Sequence, residues 1–149
     1  MHVQDLRNGL CALVVLTGLF VADTAYAESP NDIVVIVNKN LPVNETSVDE
    51  LRQIFLKRKT SWKGGNNIVC INAQRTDPLR ELFREKVLEM SNSEESEYWQ
   101  KEKVRKQLSA PAEMGNAAKV VFKVKNAVAY AYRKDVPQGV VKIILVIPE

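Results

Sequence analysis

The sequence predicts an α/β fold, a three-layer sandwich in which helices cover both faces of a mostly parallel central sheet. Short runs rich in Val and Ile alternate with segments of helical periodicity. The runs are nearly continuous, which is typical of strands that are buried on both faces. The chain has 149 residues, of which 46% are apolar, and it shows no internal repeat. This composition fits one compact domain.

The first elements are two strands with a helix between them. Ile33 to Val37 is an unbroken β-branched run next to Asn and Pro residues, which predicts a buried strand. Ser47 with Glu50 three residues later matches a capping box, and apolar residues at helical spacing follow it. Ile68 to Asn72 predicts the second strand.

The later elements are three helices and two strands. Asp77 and Pro78 predict a helix start, because Asp accepts hydrogen bonds from the first-turn amides and Pro at the first helical position needs no acceptor. The others are a helix capped by Ser93 and running to about Arg105, a helix from Asn116 to Lys125, and strands at Ala127 to Tyr132 and Val140 to Ile147. The predicted order is β-α-β-α-α-α-β-β.

The first 27 residues have the three parts of an export signal. Met1 to Asn8 is polar and contains Arg7, Leu10 to Ala22 is apolar, and Ala25-Tyr26-Ala27 has the small-x-small pattern of a cleavage site. The apolar run is short for a membrane span, which needs about 20 residues. We therefore expect a signal peptide at residues 1–27, a domain at residues 28–149, and a soluble periplasmic protein without a stable membrane span.

The composition of the expected mature chain argues against several function classes. The one histidine, His2, lies in the signal, so residues 28–149 offer no Ser-His-Asp triad and no histidine metal ligand. Their 20 basic and 16 acidic residues are a mild excess that does not favour nucleic-acid binding. No paired carboxylates converge, so we expect no enzyme and no cofactor. Cys70 becomes the single thiol and is expected to be a small buried residue.

Two loops are candidate ligand sites, because α/β sheets bind ligands beyond the carboxyl ends of their strands. The first contains Asn38, after the first strand, and the second contains Arg75, Thr76 and Asp77, ahead of a predicted helix. Arg75, Thr76 and Arg80 together offer guanidinium and hydroxyl donors to a small oxyanion. The alternative is that the two arginines are ordinary solvated charges.

The segment from Val48 to Gly64, VDELRQIFLKRKTSWKG, resembles the s-x-x-E-L-x-x-I-F-x-G-K-x-x-x-W-x-x-G signature of the phosphate-binding proteins of ABC importers. Asn126 to Tyr130 is similar to their G-A-I-G-Y motif, and the resemblance extends from Ile33 to Ile147. It implies one lobe of the type 2 periplasmic-binding-protein fold. Full-length members close two lobes on the anion, and this chain is long enough for one.

The phosphate motif of those proteins, R-x-D-G-S-G-T, is altered in this sequence. Its S-G-T positions fall on Asp77, Pro78 and Leu79, and its arginine position falls on Ala73. Pro78 has no N–H group, Leu79 has no hydroxyl, and Asp77 carries a negative charge. An anion bound here must therefore use other donors.

Two functions remain open. The first is a substrate-binding-like module for phosphate or a similar oxyanion, with an ABC permease as the implied partner. The second is a ligand-free lobe that contacts another envelope protein, because the basic segment Lys57 to Lys63 surrounds Trp62, a residue type that often anchors interfaces.

Overall fold

The computed structural model describes residues 27–149, so the predicted signal lies outside the described residues except for Ala27. In chain order the elements are β1 (Ile33–Asn38), α1 (Val48–Phe55), β2 (Val69–Asn72), α2 (Pro78–Phe83), α3 (Asn92–Lys106), β3 (Ala112–Glu113), α4 (Ala117–Lys123), β4 (Ala127–Tyr132) and β5 (Val141–Ile147). A π-helical segment, Arg84–Leu88, continues α2, and a 3-10 turn, Arg133–Asp135, follows β4. Within these residues no helix has the length and apolar character that a membrane crossing requires.

The five strands form one sheet in the order β3-β2-β4-β1-β5. β2 pairs in parallel with β3 and β4, whereas β1 pairs antiparallel with both β4 and β5. Four strands therefore point in one direction, which confirms the mostly parallel sheet, and β1 runs against them. As a consequence, β2 and β4 end at one edge of the sheet and β1 ends at the opposite edge.

Helices cover both faces of the sheet, which confirms the three-layer sandwich. Ile33, Val35 and Val37 pack with residues of α1 and α2 on one face. Val34 and Ile36 pack with α4 on the other face. Alternate side chains of β1 thus enter two different cores, and every residue of the strand is buried. This explains why the first β-branched run is continuous.

Two helix starts lie where their capping residues predict them. The Ser47 hydroxyl accepts a hydrogen bond from the Glu50 amide at 3.1 Å. The Asp77 carboxylate accepts one from the Leu79 amide at 2.9 Å, and Pro78 occupies the first turn. Both side chains satisfy amides that have no partner within the helix.

The start of α3 differs from the prediction. Ser91, and not Ser93, is the cap: its hydroxyl accepts from the Glu94 amide at 3.2 Å, and the Glu94 carboxylate accepts from the Ser91 amide at 2.7 Å. This reciprocal pair satisfies two amides at once, which a serine at position 93 could not do with the same glutamate. The short strand β3 and the π-helical segment have no sequence signal that predicts them.

Cys70 is buried, as predicted, and its thiol donates to the Ile54 carbonyl at 3.4 Å. Burial raises the pKa of the Cys70 thiol to about 12, against a small opposing effect of Lys57. Since the thiolate is the reactive form, we expect the native thiol to resist a disulfide reagent at about pH 8, where the urea-unfolded chain reacts.

The same pKa shift has a consequence for stability. Because the folded-state pKa exceeds the unfolded one, the thiol's contribution to stability is fully present below the unfolded pKa of about 9 and is lost as the pH rises towards about 12. Rapid modification of the native protein at about pH 8, measured by the absorbance of the thiolate that the disulfide reagent releases, would contradict the buried position of Cys70.

Candidate functional site

The loop 73–77 leaves β2 at the carboxyl edge of the sheet, where Tyr130 of β4 fixes its position. The Ala73 amide donates to the Tyr130 hydroxyl oxygen at 3.2 Å, and that hydroxyl donates to the Asn72 side-chain oxygen at 3.2 Å. Burial raises the pKa of Tyr130, so it stays a neutral donor. The ring of Phe83 stacks on Tyr130 with 3.7 Å between centroids. The loop therefore begins from a rigid, buried point.

An open hollow of about 310 Å³ lies beside this loop. Its polar lining consists of four groups that can donate hydrogen bonds, on Arg75, Thr76, Arg84 and Asn92, and two carboxylates, on Asp77 and Glu81. Sequence reasoning missed Arg84 and Asn92, because they belong to the π-helical segment and to the start of α3. No motif links those two positions to the loop.

Arg75 and Thr76 lie together on the exposed part of the loop. The Arg75 amide donates to the Glu113 carboxylate at 3.2 Å, and its side-chain Nε lies 3.7 Å from the same group. The Arg75 side chain is 69% exposed, so this contact holds the guanidinium only weakly. Both predicted donors are therefore accessible to a ligand, and their binding role stays a prediction.

Asp77 separates two hollows at this edge of the sheet. Its carboxylate is partly buried and accepts the Leu79 amide, so one of the first-turn amides of α2 is already occupied. A carboxylate at this place also opposes an incoming anion by like-charge repulsion. Asp77 acts here as a structural cap, and an anion has to approach from the side of Arg75.

Arg80 does not lie at the surface, where it was expected, because its guanidinium points into the protein. The side chain is 4% exposed and forms an ion pair and hydrogen bond with the Glu95 carboxylate, which is itself 8% exposed. Arg84 lies 3.8 Å from the other oxygen of Glu95. The expectation that Arg80 contacts a ligand at the surface is therefore corrected: a buried guanidinium needs a buried carboxylate, and Glu95 supplies it.

Asn38 does not lie with the other four candidates. Because β1 runs antiparallel to β4, it ends at the edge of the sheet opposite to the loop 73–77. Its amide nitrogen donates to the Val121 and Phe122 carbonyls at 3.1 and 2.9 Å, and its oxygen accepts from the Asn40 amide at 3.0 Å. Grouping Asn38 with Arg75 is thus corrected, since the prediction assumed that β1 is parallel to β2.

The second hollow, of about 340 Å³, is acidic and aromatic. Asp77 and Asp135 supply its carboxylates, Tyr130 and Tyr132 line it, and none of the described residues that line it is a lysine or arginine, although Lys134 Nζ lies 5.0 Å from the centroid of the Tyr132 ring. The pKa of Tyr132 is raised chiefly by burial, and then by the charges of Asp77, Glu149 and Asp135. This side of Asp77 disfavours an anion, and it was not predicted because Asp135 is remote in sequence.

The basic segment 57–63 is largely engaged within the domain. Lys59 forms an ion pair with Glu50, and Arg58 lies over the Tyr98 ring at 5.6 Å. Trp62 is 5% exposed, and its Nε1 donates to the Asn126 carbonyl at 3.2 Å. Trp62 therefore anchors its own loop, and it is not available as an interface anchor.

Known proteins of similar structure support the fold. Neither a protein-family profile nor a curated protein sequence matches the chain. A protein assigned as a phosphate ABC transporter substrate-binding protein from Clostridium perfringens, solved with bound phosphate, matches with 24% identity and a TM-score of 0.56 over 76% of this chain and 44% of that one. A phosphate transport receptor from Vibrio cholerae matches with 21% identity and a TM-score of 0.58 over 76% and 45% of the two chains.

PstS from Borrelia burgdorferi also matches, with 14% identity and a TM-score of 0.58 over 76% of this chain and 46% of that one. The chain thus spans less than half the length of the structures it matches. At these identities the similarity shows the fold alone, which is that of one lobe of these larger structures. This confirms the fold that the sequence resemblance implied.

Proposed function

We propose that the domain is a substrate-binding-like module that binds phosphate or a similar small oxyanion beside the loop 73–77, without catalysing a reaction. The observation that carries this proposal is the hollow lined by Arg75, Thr76, Arg84 and Asn92 at the carboxyl edge of the sheet. This edge is the usual position of ligands in α/β folds. The similar protein from Clostridium perfringens holds a phosphate, which favours the same class of ligand.

The chemistry of the hollow fits an anion on one side of Asp77. The Arg75 guanidinium offers two parallel donors to an oxyanion, and the Thr76 hydroxyl and the Asn92 amide can add neutral ones. Arg84, 10% exposed, contributes positive charge at the base of the hollow. The exposed Glu81 and the capping Asp77 oppose this charge. The balance supports weak binding, with a dissociation constant on the order of 1 mM, which corresponds to about −4.1 kcal/mol.

Titration calorimetry of residues 28–149 with inorganic phosphate and with sulfate tests the proposal. We expect saturable heat in the millimolar range for the wild type and a loss of most of that affinity in Arg75→Gln. Arg58→Gln removes an exposed arginine from the surface beside Tyr98, so it controls for net charge and should bind like the wild type. Absence of heat in the wild type, or equal losses in both variants, would contradict the proposal.

Replacing Asp77 should strengthen anion binding. In Asp77→Ser the hydroxyl can still cap α2, so we expect the free energy of unfolding to change by less than about 1 kcal/mol. Removing the carboxylate should raise phosphate affinity about fivefold, because two unit charges 4 Å apart in water repel by about 1 kcal/mol. Asp135→Asn, which removes a charge from the acidic hollow, is the control, and an equal gain there would mean that the effect comes from net charge alone.

A role in binding another protein is the second candidate, and the exposed apolar surface of α4 and β5 favours it. Phe122 is 55% exposed, and Ile143 and Val146 of β5 are each 36% exposed. Ile143 and Val146 are paired with Ile36 and Val34, so they lie on the sheet face that α4 covers. Such a surface offers an envelope partner or an ABC permease an apolar contact that the buried Trp62 does not offer.

Crosslinking of the exported protein in cells tests this second candidate. A specific adduct that is lost in Phe122→Ser but kept in Val104→Ser would support it, since Val104 is 88% exposed on α3 and provides a matched apolar control. Identical adduct patterns for the wild type and both variants would count against it. The export step itself stays a prediction from the sequence.

A further inference from the structure

A third hollow, of about 360 Å³, forms a groove between α3 and the chain segment that follows it. Glu95, Trp99 and Lys103 lie four residues apart and therefore share the face of α3 that lines the groove. Gln107 has a left-handed φ of 57° and ends the helix, with its amide bonded to the Lys103 carbonyl at 3.0 Å. The chain then turns back, so Leu108 and Ala110 form the opposite wall.

Trp99, which lines the groove, carries a buried donor that lacks an acceptor. The Nε1 of Trp99 is closed to water and has no hydrogen-bond partner within residues 27–149, although the indole ring is partly exposed. The corresponding atom of Trp62 is bonded. An unsatisfied buried N–H costs about 1 to 3 kcal/mol, so such groups call for an explanation.

The charge of the groove is positive. Lys103 is exposed and forms no ion pair with any described residue, and Arg75 at the end of the groove is held only by Glu113. Glu95 is the one acidic residue that lines the groove within the described part of the chain, and it is already paired with Arg80 and lies near Arg84. An anion would therefore meet two available cations and a carboxylate that is already neutralised.

The walls of the groove are partly apolar, owing to the Trp99 ring, Leu108 and Ala110. Arg75 lines both this groove and the hollow proposed for the oxyanion. We propose that the groove binds the apolar body of the ligand, so that the substrate class is an organic oxyanion and not the bare inorganic ion. This inference rests on the proposed function, because both depend on Arg75.

In this arrangement the anionic oxygens bind Arg75, which lines both the hollow and the groove, and the body of the ligand packs on the Trp99 ring while Lys103 adds positive charge along the groove. A polar atom of the ligand, or one of its anionic oxygens, accepts a hydrogen bond from the indole N–H of Trp99. Burying apolar surface against Trp99 and Leu108 adds affinity that inorganic phosphate cannot gain. Phosphate monoesters and carboxylates with a small ring share this chemistry.

The test compares phenyl phosphate, benzoate and inorganic phosphate by calorimetry and by tryptophan fluorescence. We expect phenyl phosphate to bind the wild type about fivefold more tightly than inorganic phosphate and to change the fluorescence. Trp99→Phe should reduce this preference, because it removes the indole N–H and part of the apolar ring, and it should abolish the fluorescence change. Lys103→Gln should weaken phenyl phosphate binding, whereas Lys101→Gln, on the same helix outside the groove, should leave it unchanged. Benzoate reports whether a carboxylate can replace the phosphate group.

The outcomes separate the two proposals. If inorganic phosphate binds but phenyl phosphate binds no more tightly, or if Trp99→Phe keeps the preference, the inference about the groove is overturned and the proposed function stands. If none of the three anions binds, both are overturned. Lys103→Gln alters an exposed side chain and should not affect folding, so it tests ligand binding in the groove even if Trp99→Phe does not fold.

Discussion

Arg80→Met is expected to lower the free energy of unfolding by about 3 kcal/mol, because the buried Glu95 carboxylate loses its hydrogen-bonded partner and keeps only the Arg84 guanidinium, 3.8 Å away. Both side chains are less than a tenth exposed and are paired with each other. A domain of this size has a total stability of about 5 to 15 kcal/mol, so the variant should be close to unfolding. Urea denaturation followed by circular dichroism measures the change.

The double variant Arg80→Met/Glu95→Met provides the matched control. Replacing both members of a buried ion pair by apolar groups is often close to neutral, but this replacement also removes the carboxylate beside Arg84, so the double variant should recover only part of the lost stability. A loss below about 1 kcal/mol in Arg80→Met alone would contradict this structural role of Arg80, because Arg84 or water would then satisfy Glu95 in its place.

Phe83→Ala is expected to cost about 3 to 5 kcal/mol, since it removes a fully buried ring from the centre of the larger core. The Phe83 centroid lies 3.7 Å from that of Tyr130 and 4.8 Å from that of Phe55. Tyr130 in turn fixes the start of the loop that carries Arg75. We therefore expect Phe83→Ala to lower phosphate affinity as well, although Phe83 does not line the hollow.

Phe122→Ala is the control for this prediction, because its ring is 55% exposed on α4. It should change the free energy of unfolding by no more than about 0.5 kcal/mol. Similar losses in the two variants would indicate that the aromatic cluster around Tyr130 is not the packing centre of the domain. Thermal or urea unfolding of both variants under one set of conditions measures the difference.

Local patterns in the sequence predicted most of the elements. The capping side chains of Ser47 and Asp77 accept hydrogen bonds from amides two or three residues further along the chain, so a short pattern predicts them. The strand Ala127–Tyr132 has its predicted bounds. The start of α3 was misplaced by two residues, because two serines precede the same glutamates and only geometry decides which one completes the capping box with Glu94. The two-residue strand β3 depends on its neighbour and has no pattern of its own.

The candidate site was harder to predict, because it depends on strand direction and on long-range pairing. Val- and Ile-rich runs indicate burial but do not say which way a strand runs, so the place of Asn38 was missed when β1 proved antiparallel. Arg80 was predicted at the surface because its partner, Glu95, lies 15 residues further on in another helix. Arg75 and Thr76 could be placed because a single loop carries both.

Asp77 has a different role from the one that the motif resemblance implies. The motif resemblance aligns Asp77 with a donor position, whereas its carboxylate caps α2 and lies between the hollow that contains Arg75 and the acidic hollow. Its charge thus disfavours an anion directly on the helix start and leaves the Arg75 side open. The proposed site is therefore displaced from the position that the motif implies.

The most direct test of anion binding beside the loop 73–77 is a phosphate titration of residues 28–149 followed through the backbone amide signals in two-dimensional nuclear magnetic resonance spectra. We expect saturable shifts that are largest at Arg75, Thr76 and Asn92, with the amide of Asn38 unaffected at the opposite edge of the sheet. Shifts that do not saturate, or that are largest around Asn38 and α4, would contradict the proposal.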